Sequence, residues 1–172
     1  MIPDTATAVQ IRLYIPAIPV AQPRVRATVV AGHASVYTPG TVNGRPHPIH
    51  EFKATVRKIA SEKYTGAPLR CAVRVDAIFV FPRPRSDIWK KRPMPRYPHV
   101  KKPDRDNLDK GLLDALKGII LEDDRQVCDG RIEKWVASGD EQPHVEVTIQ
   151  TVPVVKVTIE RIQDPQGGLF DV

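Results

Sequence analysis

The sequence has few cysteines and no long apolar run, and each shortage excludes a class of protein. The two cysteines, Cys71 and Cys128, stand far apart and form no CxxC pair, so we predict reduced, structural thiols and no zinc site. No apolar stretch is long enough to cross a bilayer. The N-terminus lacks a charged start followed by an apolar segment, so no signal peptide is visible and we expect a cytoplasmic protein.

Positive charge is what the chain has in excess. Apolar residues make up 41% of the 172 residues and charged residues 27%, as in an ordinary soluble domain large enough for a proper core. The net charge is +6, which favours polyanions such as nucleic acid as partners. Because basicity alone is weak support, the function has to be argued from motifs.

The hydrophobic pattern predicts an α+β fold in which a mixed β-sheet is flanked by two main helices. Apolar residues at helical spacing predict helices over 50–64 and from Asp106 to a C-terminal cap at Gly118. Alternation of apolar and polar residues predicts strands. These strands are expected at 9–15, 71–81, 144–152 and 154–162, with a short and a longer one on either side of a turn at 122–124.

The remaining segments read as loops. Residues 16–48 are rich in turn formers and predict mostly loop, with a hairpin around Gly32. Residues 82–103 carry six prolines, which argues against regular structure there. We predict a single domain over 1–152 that includes this basic Pro-rich loop, followed by an extra strand and a tail over 153–172.

Acidic residues stand in the middle of this basic sequence, in the stretch KPDRDNLDK and again at EDD. In an extended segment before the second helix, Asp104 and Asp106 would project to the same side. Asp106 would also stand at the helix entrance, where backbone N–H groups hold a carboxylate ionised. Asp124 would join them if its turn packs against the helix N-terminus. Three such carboxylates could hold Mg²⁺, or Mn²⁺ as a substitute, and so bind a phosphodiester instead of repelling it.

A structural role for the same acids is the alternative. Asp106 would then be a helix N-cap with Asp109 completing a partial capping box, and Asp123 and Asp124 would be turn residues. The pattern of residues leaves both interpretations open.

The stretch KPDRDNLDKGLLDALKGIILEDDRQVCDGRIEK resembles the signature of the RusA-type Holliday-junction resolvases, and QPRVRATVVAGHASVYTP resembles the family's RPR…YTP loop, with Gln22 in place of the first arginine. The resemblance covers roughly 9–150 and is most specific in the central block. The matching positions of that block are Pro103, Asp104, Asp106, Asn107, Lys110, Asp114, Ala115, Leu116, Asp123, Asp124, Gln126, Val127, Arg131 and Lys134.

The resemblance implies a homodimeric, Mg²⁺-dependent endodeoxyribonuclease that nicks opposing strands of four-way junctions in DNA recombination and repair, in a bacterial or phage-infected cell. It implies metal binding by Asp104, Asp106 and Asp124 and a catalytic role for Lys110, which would stabilise charge on the scissile phosphate. The alternative for Lys110 is an exposed helix lysine paired with Asp114. The rival functions are a nuclease for flaps, forks and other branched DNA, and a junction-binding protein without activity.

The basic Pro-rich loop is predicted to bind DNA phosphates, and Trp89 and Tyr97 within it would stack on unpaired bases or fold back onto the core. Arg24 and Arg26 in the earlier loop are secondary candidates. The cations of the Pro-rich loop are Arg83, Arg85, Lys90, Lys91, Arg92, Arg96, Lys101, Lys102 and Arg105.

The C-terminal tail contains QGGLF, which resembles the pentapeptide by which bacterial proteins dock on the replication sliding clamp. Gln166, Leu169 and Phe170 would be its anchors. The alternative is an ordinary terminus whose leucine and phenylalanine pack on their own domain.

Overall fold

The computed structural model describes residues 9–30, 33–37, 39–89 and 91–153. It contains a mixed sheet and two main helices, which confirms the predicted α+β fold. The elements in chain order are β1 (Gln10–Ile15), β2 (Arg26–Val30), β3 (His33–Tyr37), β4 (Thr41–Val42), β5 (Arg45–Pro46), α1 (Ile49–Lys63), β6 (Val73–Phe81), β7 (Tyr97–Pro98), α2 (Arg105–Leu116), β8 (Val127–Asp129), β9 (Ile132–Val136) and β10 (His144–Thr151).

The main sheet is built around β6, a nine-residue strand rich in β-branched and aromatic side chains. Its order is β1-β10-β6-β9-β7, with β8 also paired to β6. The pairs β1–β10, β10–β6 and β9–β7 are antiparallel, whereas β6 runs parallel to β8 and β9. The register aligns Leu13, Val147, Ala77 and Ile132 across four strands, so the apolar residues of each strand face one side.

Both helices cover that apolar side. α1 buries Phe52, Val56 and Ala60, and α2 buries Leu108 and Leu112, along with other residues at helical spacing. Apolar side chains of β1, β6 and β10 complete the core. Because one stripe of α2 is fixed against the sheet, its opposite face and its N-terminus are presented at the surface.

Two small hairpins precede α1. Strands β2 and β3 pair antiparallel with Val30 opposite His33, which confirms the hairpin predicted around Gly32. Strands β4 and β5 form a second, shorter hairpin through Asn43 and Gly44, both at positive φ. The described side chains of these strands are exposed, so the hairpins form a surface feature beside the core.

The structure differs from the sequence-based prediction in three segments. The longer strand predicted up to Val136 is divided into β8 and β9, with Gly130 and Arg131 between them. No strand forms at 118–120 in the described chain. Instead, Gly118 at φ 79° turns the backbone after α2, and Leu121 makes isolated bridges to Leu69 and Lys117. The Pro-rich loop is mostly irregular, as predicted, but contains a 3₁₀ turn at Arg85–Asp87 and the two-residue strand β7.

The predicted strand over 154–162 and the tail anchors Gln166, Leu169 and Phe170 lie outside the described residues. The docking motif therefore stays a prediction from sequence. Within the described part of the chain, no helix is both long and apolar enough to span a membrane.

Candidate active site

The first acid pair lies at the N-terminus of α2. Asp104 is the N-cap, with extended backbone angles of φ −71° and ψ 147°, and Asp106 lies in the first helical turn. The prediction that both acids precede the helix, with Asp106 as its cap, is therefore wrong, because the helix is capped two residues earlier, at Asp104. The Asp104 side chain makes no capping hydrogen bond, so its carboxylate is not used to complete the helix and the Asp106–Asp109 capping box does not form.

Arg24 is the partner of the Asp104 carboxylate. Its guanidinium donates to Oδ2 of Asp104, and the two side chains are 76% and 42% exposed. Sequence reasoning proposed Arg24 only as a DNA contact, because nothing in the sequence connects residues eighty positions apart. The contact indicates that Asp104 is placed to accept a cationic group, and such an exposed pair is easily exchanged because it contributes little to stability.

A cleft of about 470 Å³ opens beside Asp104. One wall is the segment Ala21–Arg24, which is held against α2 by a 2.8 Å hydrogen bond from the Gln22 N–H to the Asn107 carbonyl. The opposite wall is Lys102 and Pro103. The Gln22 Oε1 atom is buried and accepts no hydrogen bond from the described residues.

Lys134 on β9 fixes the backbone that leads into the site. Its ammonium donates to the carbonyl of Lys101 at 2.7 Å and to that of Pro103 at 2.5 Å. Because Pro103 directly precedes Asp104, these two bonds define where the carboxylate stands. Sequence reasoning left Lys134 out of the catalytic set, and its contacts assign it a positioning role. The R-x-x-K motif ending at Lys134 marked this lysine in the sequence, but the motif does not reveal that the Lys101 and Pro103 carbonyls are its partners.

Lys110 is exposed on the polar side of α2. It lies four residues after Asp106, so the two side chains occupy the same helix face. The alternative pairing of Lys110 with Asp114 does not occur, because Asp114 accepts from Lys53 of α1 at 2.9 Å. No ion pair of Lys110 is present among the described residues, which leaves its ammonium available to a ligand.

The second acid pair lies at the opposite end of α2. Asp123 pairs at 2.6 Å with Lys117, the C-cap residue, and the charge of Asp124 also acts on that lysine. At 1.5 Å per residue, the thirteen positions from Asp104 to Lys117 separate the two helix ends by about 20 Å. The expectation that this turn packs against the helix N-terminus is therefore wrong for a single chain. No group of three acidic, histidine or cysteine side chains close enough to hold a metal occurs in the part of the chain that the structure describes.

In the EDDRQV motif, Asp123 and Gln126 have a structural role. Asp123 accepts from the Arg125 N–H, while its own N–H donates to the Gln126 side chain at 2.8 Å, which is a capping box on the 3₁₀ turn at Asp124–Gln126. The hydrogen bond from Lys117 holds the pKa of Asp123 well below its usual value. Asp123 is thus committed to the turn, and Asp124 presents an exposed carboxylate.

Two arginines of the basic loop have partners within the protein itself. Arg83 donates to the carbonyls of Ala137 and Pro95, at 2.9 and 2.5 Å. Arg96 is bound to the carboxylate of Glu141 and, at 3.1 Å, to that of Glu146. These bonds hold the loop to the sheet, and the DNA contacts predicted at Arg83 and Arg96 stay a prediction from sequence.

The aromatic residues of the loop also differ in role. The Tyr97 hydroxyl donates to Asp87 at 2.6 Å, and Arg83 covers its ring at 5.0 Å, so Tyr97 folds back onto the protein. Trp89 remains 44% exposed, with the Arg92 guanidinium 5.9 Å from the ring. Only Trp89 is therefore presented for stacking.

The remaining described cations of this segment are exposed, and we call them the basic rim; Lys101, Lys102 and Arg105 flank Asp104 in sequence. Lys90 lies outside the described residues. The exposed ones are Arg85, Lys91, Arg92, Lys101, Lys102 and Arg105.

Carboxylates at a helix N-terminus, an available lysine one turn on and a basic rim are parts suited to hydrolysis of a nucleic-acid backbone. Comparison with known families agrees with that chemistry, because residues 16–150 match the model of the endodeoxyribonuclease RusA family. The protein belongs to this family, and the resemblance found in the sequence is confirmed.

A curated relative is similar over a region of comparable length. The chain is 31% identical over 139 residues to a Bacillus subtilis (strain 168) protein named "Uncharacterized protein YqaN", and the alignment covers 78% of this chain and 91% of the relative. The shared region is therefore nearly the whole of that protein.

Proposed function

We propose that the protein is a divalent-metal-dependent endodeoxyribonuclease that resolves four-way DNA junctions by paired, symmetric nicks. The observation that carries the proposal is the N-terminus of α2, where the Asp104 carboxylate makes no capping bond and holds only the exposed Arg24, Asp106 is exposed, and Lys101, Lys102 and Arg105 are exposed beside them in sequence. Membership in the RusA family supports the nuclease class. The rim would hold the phosphate backbone without regard to sequence.

The residues present fit a hard divalent cation such as Mg²⁺ or Mn²⁺. Carboxylate oxygens are the preferred donors for such ions, and Asp104 already accepts a cationic group, the Arg24 guanidinium. When bound, the cation supplies Lewis-acid chemistry that stabilises negative charge on the phosphate under attack. Asp104 and Asp106 would hold it, and Lys110 would stabilise the charge that develops on the phosphate oxygens.

The third carboxylate, Asp124, would come from a second copy of the chain. Within one chain its neighbour Asp123 is paired with Lys117 at the far end of α2, and the two ends of this helix are about 20 Å apart by the helical rise. A two-fold axis perpendicular to α2 would place the two copies of this helix antiparallel, so that each N-terminus meets the partner's C-terminal turn. Such a dimer contains two identical composite sites, as paired nicks on opposing strands require.

The direct test is incubation of the protein with a synthetic immobile four-way junction, with and without Mg²⁺. We expect symmetric nicks on two opposing strands, and only with the metal. Three-way, flap and linear DNA of the same arm sequences serve as controls. Equal cleavage of all branched substrates would favour the broader branched-DNA nuclease, and binding without cleavage under any divalent metal would favour the junction-binding protein.

Lys134→Met should weaken cleavage through geometry rather than by removing a catalytic group. Methionine resembles the apolar stem of lysine up to Cε but has no ammonium to donate to the Lys101 and Pro103 carbonyls. Because small misplacements of reacting groups are costly, we expect the single-turnover rate to fall about tenfold to a hundredfold. Junction affinity should change less than twofold, and Lys134→Arg should recover part of the rate. A rate equal to wild type would refute the positioning role.

A further inference from the structure

A second recess adjoins the Asp104 cleft, and we propose that it binds a backbone phosphate of the DNA substrate next to the phosphate that is cut. This inference rests on the proposed function, because it assigns a substrate group to a neighbouring surface. The recess has a volume of about 420 Å³. We call it the hairpin recess, and its lining residues are Pro23, Arg24, Arg26, Pro39, Thr41, Val42, Asn43 and His47.

The hairpin recess lies next to the cleft that contains Asp104. Pro23 and Arg24 line both the recess and the cleft that contains Asp104. The Arg24 side chain, 76% exposed, is bound to Asp104 on the cleft side. A DNA strand whose scissile phosphate lies at Asp104 would therefore pass directly beside the recess.

The charge of the recess suits an anion. Its lining includes two guanidinium groups, from Arg24 and Arg26, and an imidazole, and it includes no acidic residue. Arg26 begins β2 opposite Tyr37, on an exposed ribbon where neither strand packs on the core. Guanidinium groups bind phosphate oxygens through charge-assisted, often bidentate hydrogen bonds.

His47 adds a neutral donor whose direction is fixed by the fold. The Ile49 N–H at the start of α1 donates to Nδ1 of His47 at 3.1 Å. Since Nδ1 accepts this bond, the neutral ring carries its proton on Nε2, which is then free to donate. Burial, and secondarily the charge of His50, lowers the pKa of His47, which favours the neutral ring and a hydrogen bond instead of a charge.

The recess favours a phosphate over a nucleobase. Base recognition by single-strand binders relies on flat aromatic platforms, and the lining offers no phenyl, phenol or indole ring. A phosphodiester presents two unesterified oxygens that match the guanidinium groups on one side and the Nε2–H on the other. Such a contact would set the register of the strand on the enzyme without reading its sequence.

The test is binding of a fluorescently labelled four-way junction, measured by anisotropy in EDTA over a range of salt concentrations. Arg26→Ala should lower affinity about tenfold and reduce the slope of log affinity against log salt by about 0.7 to 0.9, the change for one phosphate contact. His47→Asn should lower affinity about threefold without changing the slope. Its amide oxygen can take the place of Nδ1 as acceptor for Ile49, so the Tm should stay within a few degrees of wild type.

Two further variants separate binding from folding. His47→Gln places its amide N–H near the position of Nε2, so it should retain wild-type affinity even if the Tm falls. Arg45→Ala removes the same charge from the short β4–β5 hairpin but lies outside the recess lining, and it should change neither affinity nor slope appreciably.

The recess proposal is overturned if Arg26→Ala and His47→Asn behave like Arg45→Ala. If the wild-type chain cleaves junctions while these variants bind normally, only the recess proposal fails. If the wild-type chain binds no junction, the proposed function fails with it.

Discussion

Replacing Asp104 with asparagine should reduce junction cleavage at least about a thousandfold, the scale expected when a group acting in a catalytic unit is removed. Asparagine keeps the shape of the side chain but lacks the negative charge that holds a divalent cation. It also weakens the ion pair with Arg24, an exposed contact of small energetic value. Because α2 and the core are untouched, the Tm should remain close to that of wild type.

The same variant should bind a four-way junction at least as tightly as wild type. Removing a carboxylate from a surface that receives phosphates removes a repulsion. Cleavage is to be measured under single-turnover conditions in Mg²⁺, and affinity in EDTA. Asp140→Asn, an identical change at an exposed acid remote in sequence from α2, is the matched control and should leave both unchanged. Cleavage by Asp104→Asn within tenfold of wild type would exclude a metal-holding role for this carboxylate.

The elements carrying the site were predictable from sequence because their burial patterns are strongly periodic. Residues 73–81 and 144–151 alternate where one face is covered, and α2 spaces its leucines at helical intervals. The first residue of α2 was harder to place, since Asp104 and Asp106 are both good N-caps by residue type. In the structure the helix is capped at Asp104, and Lys134 binds the carbonyls of Lys101 and Pro103 just before it. Such long-range contacts cannot be read from the sequence.

The contacts of the basic loop could not be derived from its composition. Nothing in the sequence distinguishes Arg96 from Arg92. In the structure, however, Arg96 is paired with Glu141 and Glu146, which lie 45 and 50 positions later in the chain. The hydrogen bond to Arg96 holds the pKa of Glu141 at about 2, so this carboxylate stays ionised near neutral pH. Long-range pairing of this kind gives an arginine a structural contact, and a count of charges in the loop cannot reveal it.

The position of Asp124 relative to Asp104 could not be predicted from the sequence either, because the segment that links it to α2 is long enough to reach either end of the helix. Seven Cα–Cα steps separate Lys117 from Asp124, and a fully extended segment of that length reaches about 23 Å. That is enough to return to the N-terminus of α2. The chain instead turns at Gly118, and Lys117 holds Asp123 beside the helix C-terminus. One chain thus keeps its two acid pairs apart, which is the basis for proposing composite sites in a dimer.

Mixing two inactive variants should restore cleavage if each site draws on two chains. Coexpression of the Asp104→Asn and Asp124→Asn chains gives about half mixed dimers when the two associate at random. In a mixed dimer, one composite site combines Asp104 of one chain with Asp124 of the other and is intact, while the second site lacks both. Since about half of the dimers are mixed and each has one intact site of two, about a quarter of the wild-type number of sites is active. We therefore expect single nicks in that proportion, without the paired cuts that separate the junction into duplexes.

The matched control is coexpression of Asp104→Asn with Asp106→Asn. Both residues stand at the N-terminus of the same α2, so every site in the mixed dimer lacks one of them and no rescue is expected. Products are read on denaturing gels for nicks and on native gels for resolved duplexes, with separately purified variants as the inactive baseline. Absence of rescue in the first mixture, with mixed dimers demonstrated by differently tagged chains, would mean that each chain builds its own site. The turn that carries Asp124 would then have to leave Lys117 and travel the length of α2.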